Sequence, residues 1–396
     1  MLKISLFAYL LITLNCHNTL ELNETNLKLV FAIVRNGEHY PDKYALEYEK
    51  RFNKYTFQPG ELLQLGKETM YDVGKKLRER YNEYLGDHSL TKYLVKTSGV
   101  KNKFSKRTLE SALILQEGLR KSEKKYVLNR NWTERQWSTV EDPNYTDRAS
   151  YYYYNCDKYL EEQNKILQRE LREKVLGKYK EMMDVFRKNT NLELQPNKLN
   201  ELFSLYELYY NEEISNIKRP DWLTDEIYSQ FKELMNDYVE AAFATNALKS
   251  MAGGLHVKHM FDTINLMKDK KLQPCNTRMF LYVGNGATVA PIIAAFGGEK
   301  GFEIKENPTK TIKSFNPKHG GLTIFEIYHI KETNDYYLKM FYSKDSKSEI
   351  IELTKPDCGY PCKANKLRIL LNDIYITKED IKDLCDAVDS KKSTPK

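Results

Sequence analysis

No stretch after residue 14 approaches the roughly 18 consecutive apolar residues that a membrane-spanning helix needs, so no membrane association is expected of the body of this chain. Charge of one sign is lacking as well. The 62 Lys and Arg stand against 55 Asp and Glu, and a net +7 spread over 396 residues is too diffuse for a nucleic-acid partner, although it draws anions over a distance. Lysine-rich pieces such as 121–125 read as solvated helix faces. Cysteine is sparse, 6 in all, and no second Cys or His pair accompanies Cys358-x-x-x-Cys362 as a zinc site would require. His256 and His259 share one helical face without an evident third ligand, which favours ordinary structural histidines. Neither a metal nor a cofactor is expected, and no internal repeat or low-complexity domain is visible.

What is present begins with Met1-Leu2-Lys3, an apolar run from Ile4 to Leu14, and polar residues after it. That is the layout of a secretory signal peptide, assigned to residues 1–16 with cleavage near Cys16. A soluble, secreted, extracellular product follows. Asn23-Glu24-Thr25, Asn131-Trp132-Thr133 and Asn144-Tyr145-Thr146 are glycosylation acceptors in that setting. Disulfides are then the default for Cys156, Cys275, Cys358, Cys362 and Cys385, and the odd number leaves one over, assigned to Cys275.

Leu27 to Val34 is an apolar, β-forming run that ends in Asn-Gly chemistry, as a buried strand does. Glu61 to Tyr81 carries apolar residues at helical spacing, with a break expected at Gly66. Tyr93 to Thr97 reads as a strand, and Ser105 to Leu119 as a helix capped by Ser105. Strand and helix alternate as in a sheet with crossover helices. From 137 to 249 strand signals vanish, and helical patterns run over Tyr159 to Arg187, Lys198 to Glu213 and Thr224 to Ala242. Sheet character returns at Met279 to Val283, a helix follows over Thr288 to Ala295, and Leu322 to Ile330 and Tyr336 to Tyr342 read as a strand pair joined by a turn at 332–335. The expectation is an α/β core formed by 17–136 and 250–396, with an inserted all-helical cap at 137–249. The tyrosine run 151–154 is expected to pack within the cap, with a ligand mouth as the alternative.

The most informative segment is Val34-Arg35-Asn36-Gly37-Glu38-His39-Tyr40-Pro41, which resembles the R-H-G-x-R-x-P signature of the histidine acid phosphatases. Further similarities run in that family's order. Leu77-Arg78-Glu79-Arg80-Tyr81 resembles its L-R-x-R-Y, and Arg107-Thr108-Leu109-Glu110-Ser111-Ala112 its R-T-L-x-S-A helix. Tyr282 to Val289 occupies the place of its Y-S-A-H-D-x-T-V, while Thr323 to Ile327 and Cys358-Gly359-Tyr360-Pro361-Cys362 resemble its late strand and disulfide loop. The resemblance implies a phosphoglycerate-mutase-like core with a mixed, mostly parallel sheet flanked by helices. It also implies disulfides Cys358–Cys362 and Cys156–Cys385, a free and buried Cys275 (with a bond to another chain as the alternative), and a possible homodimer.

Carried over position by position, the family's mechanism meets four replacements. Asn36 stands at the nucleophilic histidine, His39 at a clamp arginine, Asn285 at the second histidine and Gly286 at the acid, while Arg35 and Arg107 remain as clamp arginines. An amide nitrogen is not a usable nucleophile at phosphorus, and glycine has no proton to give. The reading is a pseudophosphatase that keeps a pocket for phosphate or a phosphorylated or anionic ligand, held by Arg35, Arg107 and a His39 that turns cationic in acid. Three alternatives stand beside it. The arginines pair internally with carboxylates such as Glu38; the protein is a low-efficiency acid phosphatase using His39 or water; or it is an interaction protein with a vestigial pocket and an extracellular protein partner.

Overall fold

The computed structural model describes residues 26–41, 58–86, 93–97, 105–120, 156–191, 199–273, 275–312 and 316–386. The expected signal peptide 1–16, the sequons at Asn23, Asn131 and Asn144, and the tyrosine run 151–154 lie outside them.

The layering starts from strand β1 (Leu27–Arg35), which is apolar at nearly every position. Pleating sends alternate side chains to opposite faces. Leu29, Phe31 and Ile33 join one core, and Val30, Ala32 and Val34 join the other. A strand buried on both faces needs helices on both sides of its sheet. After β1 come helices α1 (Gln64–Arg80) and α2 (Asn82–Leu85), strand β2 (Tyr93–Thr97) and helix α3 (Ser105–Leu119). Four helices follow: α4 (Asp157–Leu176), α5 (Lys180–Asn189), α6 (Leu199–Ile214) and α7 (Asp225–Ala242). The chain returns to the core through α8 (Asn246–Lys268), β3 (Met279–Gly284) and α9 (Gly286–Gly297). Strands β4 (Phe302–Ile304), β5 (Asn307–Ile312), β6 (Leu322–Ile330), β7 (Asp335–Ser343), β8 (Ile351–Thr354) and β9 (Cys362–Lys363) precede the last helices, α10 (Ala364–Leu370) and α11 (Lys378–Asp386).

Helices α1 and α3 cover the Val30 face through Met70, Val73, Leu77, Ala112 and Leu115, while α8 and α9 cover the Phe31 face through Met260, Ile264, Ile292 and Phe296. The described strands run β2-β3-β1-β6-β7-β8-β4-β5, with β9 on β7. The sheet is mixed, as expected, but not mostly parallel. Parallel pairing is confined to β2, β3 and β1, and the remaining described pairs are antiparallel. For β6 and β7 the cause is connection length. β6 and β7 are joined by a tight turn in which Asn334 takes a φ of 54°, and so short a link cannot return the chain for parallel pairing.

Two helix boundaries differ from expectation. α1 runs straight through Gly66, where an added Cβ would lie 2.1 Å from the Glu38 carbonyl oxygen, so this glycine permits a close approach and breaks nothing. The long pattern from Tyr159 divides at Gly177 into α4 and α5.

Helices α4 to α7 pack on a core of their own, in which Leu171, Phe186, Leu205, Phe231 and Leu234 are fully or almost fully buried. Thr224 caps α7 and Thr245 caps α8, each accepting a backbone N–H at 3.3 Å. α8 begins at Asn246, slightly ahead of the expected cap boundary, and its Lys249 reaches Gly298 in the core. Disulfide Cys156–Cys385 ties the start of α4 to α11, and Cys358–Cys362 closes the loop before β9. Cys275 is free, as expected, but exposed rather than buried, because it lies in the polar turn between α8 and β3. Among the described residues no helix is long and apolar enough to cross a membrane.

Candidate anion-binding site

β1 and β3 are parallel neighbours in a register that sets Arg35 beside Gly284, so the loops leaving both strands open at the same edge of the sheet. Crevices beyond the carboxyl ends of adjacent parallel strands are where open α/β sheets hold ligands. The loop after β1 is firmly held. Asn36 N–H donates to the Gly284 carbonyl at 2.8 Å, Gly37 N–H to Ser111 Oγ of α3 at 3.2 Å, and Leu63 N–H to the Glu38 carbonyl at 2.9 Å. A Cβ on Gly37 would sit 2.3 Å from the Gly66 carbonyl oxygen, so the loop lies directly on the first turn of α1.

Arg35 is buried, and both of its terminal nitrogens are engaged while Nε has no hydrogen-bond partner. Nη1 donates to the Pro317 carbonyl at 2.8 Å, and Nη2 to Glu207 Oε2 of the cap helix α6 at 3.0 Å. Burial works against the charge, but Glu207, with Tyr210 and Tyr206, outweighs it and holds the guanidinium pKa above its ordinary value. Arg35 therefore does pair with a carboxylate, but that carboxylate is Glu207 and not Glu38. Burial raises the Glu38 pKa, against the pull of a Thr69 hydrogen bond and of Arg35.

His39 is buried, and its Nδ1 lies 2.7 Å from the Tyr40 carbonyl. Burial, then Arg107 and His319, push its pKa well below 6.5. The expected acid-induced cation is thus corrected: in this arrangement His39 is neutral, because it sits dry beside an arginine. Arg107 is buried too, close enough to act on both His39 and His319. His319, from the loop before β6, carried no sequence signal, yet it lies at the centre of the site. Its ring meets His39 edge-on with centroids 5.2 Å apart and lies nearly parallel to Tyr210 of α6 at 5.6 Å.

Asn36 is wholly buried, and its Nδ2 donates to the Gly37 carbonyl at 2.8 Å. A carbonyl can only accept, which fixes the amide orientation and leaves Oδ1 with no hydrogen-bond partner. Asn285 caps α9. Its Oδ1 accepts from Thr288 N–H at 2.9 Å and Thr288 Oγ1 at 3.0 Å, leaving only its amide nitrogen to meet an anion. Gly286 is the first residue of that helix, and an added Cβ would lie 3.1 Å from Arg35 Cζ. The arginine tip thus occupies room that a side chain at 286 would crowd. His259 faces the opposite way. Its Nδ1 is 2.6 Å from Tyr282 Oη, and its ring packs on Phe31 and Phe280, while buried His256 lies against Tyr282. Among the described residues no group of three or more His, Cys, Asp or Glu is placed to hold a metal.

The ends of β1 and β3, the loops that leave them and the two arginines form one site at the edge of an α/β sheet. The model of the histidine phosphatase superfamily (branch 2) matches residues 17–343. The chain belongs to that superfamily. Curated relatives include the acid phosphatase-like protein XcAP-1 of Xenopsylla cheopis, 25% identical with 91% of this chain and 95% of that protein covered. The venom acid phosphatase Acph-1 of Apis mellifera is 26% identical over 92% and 88% of the two chains. The human prostatic acid phosphatase is 23% identical over 88% and 85%. Among solved structures, the phytase of Citrobacter braakii superposes with a TM-score of 0.60 at 12% identity, over 89% of this chain and 98% of that one, which supports the fold alone.

Proposed function

We propose that this chain is an acid phosphatase-like protein that does not hydrolyse phosphomonoesters and keeps the pocket as a binding site for a small tetrahedral oxyanion. The observation that carries the reading is Asn36: at the position of the attacking histidine stands a buried amide whose nitrogen already donates to the neighbouring Gly37 carbonyl. Gly286 supplies no acid, so neither half of a covalent phosphoryl transfer has its reagent. Arg35 and Arg107 give the pocket permanent positive charge suited to phosphate or sulfate. An anion that takes Arg35 Nη2 displaces Glu207 from it, so binding at that nitrogen is an exchange of one oxyanion for another. Secretion is part of the proposal, supported by two disulfides and by a venom relative.

The test is thermal unfolding with and without inorganic phosphate. Phosphate that binds only the folded state raises Tm, and Arg35→Ala removes the rise. No rise in the parent would favour the vestigial-pocket alternative, which the Arg35–Glu207 pair itself supports.

A further inference from the structure

His319 stands between two hydrogen-bond acceptors. Its Nδ1 is 3.0 Å from the Asn36 carbonyl, and its Nε2 is 3.3 Å from Asn211 Oδ1. The Asn211 orientation is fixed, since its Nδ2 donates to the Glu207 carbonyl at 2.8 Å. A neutral imidazole can donate to only one of the two, and the other nitrogen then opposes lone pair to lone pair. The Tyr210 ring stacked on His319 also favours a cation. Burial opposes the charge, and so do Arg35 and Arg107, and together they hold the His319 pKa well below 6.5. The groups around the ring are Arg35 (with its partner Glu207) from β1, Asn36 and His39 from the following loop, Arg107 from α3, and Tyr210 and Asn211 from α6.

Burial of His319 remains when an anion sits against the two arginines, but their opposing charges are cancelled, while both acceptors and the ring face stay in place. We propose that His319 is the proton-uptake residue of this pocket: a tetrahedral oxyanion binds together with one proton, taken from solvent onto His319 Nε2, which then donates to Asn211 Oδ1. The third cation of the pocket is thus His319, made by the ligand, and not His39. This rests on the anion-pocket reading above.

The test is calorimetric titration of sodium sulfate into the full-length protein from pH 6 to 8, in paired buffers of different ionisation enthalpy. Sulfate keeps its charge over this range, so protons taken up belong to the protein. The expected result is close to one proton per sulfate, with affinity weakening about tenfold per pH unit above the midpoint. Glu207→Gln and His39→Gln retain the uptake, whereas His319→Gln abolishes it and leaves weaker, pH-independent binding. The wild-type protein gives a second readout: one imidazole resonance moves to its protonated position when sulfate is added at constant pH. Sulfate binding without proton uptake overturns the proposal, as does uptake that vanishes in Glu207→Gln and persists in His319→Gln. Absence of sulfate binding at every pH overturns the anion-pocket reading itself, and this assignment with it.

Discussion

Glu207 on the cap helix α6 sets a carboxylate oxygen 3.0 Å from the Arg35 guanidinium at the end of β1. A phosphate using the same nitrogen would compete with Glu207, which already acts on Arg35 as an internal oxyanion. Removing it strands a buried charge. Glu207→Ala should cost about 3–5 kcal/mol in anion-free buffer, the usual penalty for breaking a buried pair. Sulfate at about 100 times its Kd should return about 2.7 kcal/mol. Urea unfolding with and without sulfate reads both. At one fixed sulfate concentration, equal stabilisation of parent and variant would show that Glu207 does not compete with the anion.

The two buried histidines make the anion-free protein acid-sensitive. Their native pKa values are depressed by burial first and by neighbouring positive groups second. Below their ordinary 6.5 the unfolded chain binds protons that the native state refuses, so this stability is full above pH 6.5 and falls as pH drops. The slope approaches about 1.4 kcal/mol per pH unit for each histidine. Glu38 has the opposite sign, since its raised pKa lets the native carboxyl protonate first, and it offsets part of the loss at the acid end. Denaturant unfolding from pH 7 to 5 should therefore show falling stability, and His39→Gln should roughly halve the slope. Stability that rises over this interval without anion would contradict the burial argument.

Gly286 is held empty by Arg35. A Cβ there meets Cζ at 3.1 Å and Nε at 3.3 Å, so Gly286→Asp requires the guanidinium to give by a few tenths of an ångström against its Pro317 and Glu207 contacts. The expected cost is about 1–3 kcal/mol, as for other overpacked sites. The companion Gly286→Ala should already show part of it, because the clash begins at Cβ. A neutral or stabilising effect in both would place Arg35 elsewhere.

Cysteine chemistry offers a direct check of the covalent frame. In the native, unreduced protein a maleimide should label Cys275 and none of the other described cysteines, since it is free and exposed while Cys156–Cys385 and Cys358–Cys362 are paired. The Cys156→Ser/Cys385→Ser variant, which opens a link of sequence separation 229, should lose about 2–5 kcal/mol.

Much of the core was legible because its signals are local. The apolar alternation of β1, the spacing of α3 and the β6–β7 hairpin each sit within one short segment, and the strand Tyr93–Thr97 and helix Ser105–Leu119 have the expected bounds. The parallel share was overestimated because β4, β5 and β8 span only 3, 6 and 4 residues, too short for a periodic signal to mark them. At the site, Arg35, Asn36 and Gly286 were readable by position. Glu207 was not, because it meets Arg35 across 172 positions of sequence. His319 lies in a loop with no periodicity, and only the packing of α6 over the sheet gives it neighbours. The protonation of His39 was misjudged for a related reason, since dryness is a property of tertiary packing and not of a motif.

The measurement that bears most directly on the central claim is hydrolysis of a chromogenic phosphomonoester by the purified protein from pH 4 to 7. The account predicts no turnover above the buffer blank, with slight activity in the double variant Asn36→His/Gly286→Asp once Glu207→Gln frees Arg35. Turnover by the parent that disappears in Arg35→Ala would contradict it and place a working nucleophile in this pocket.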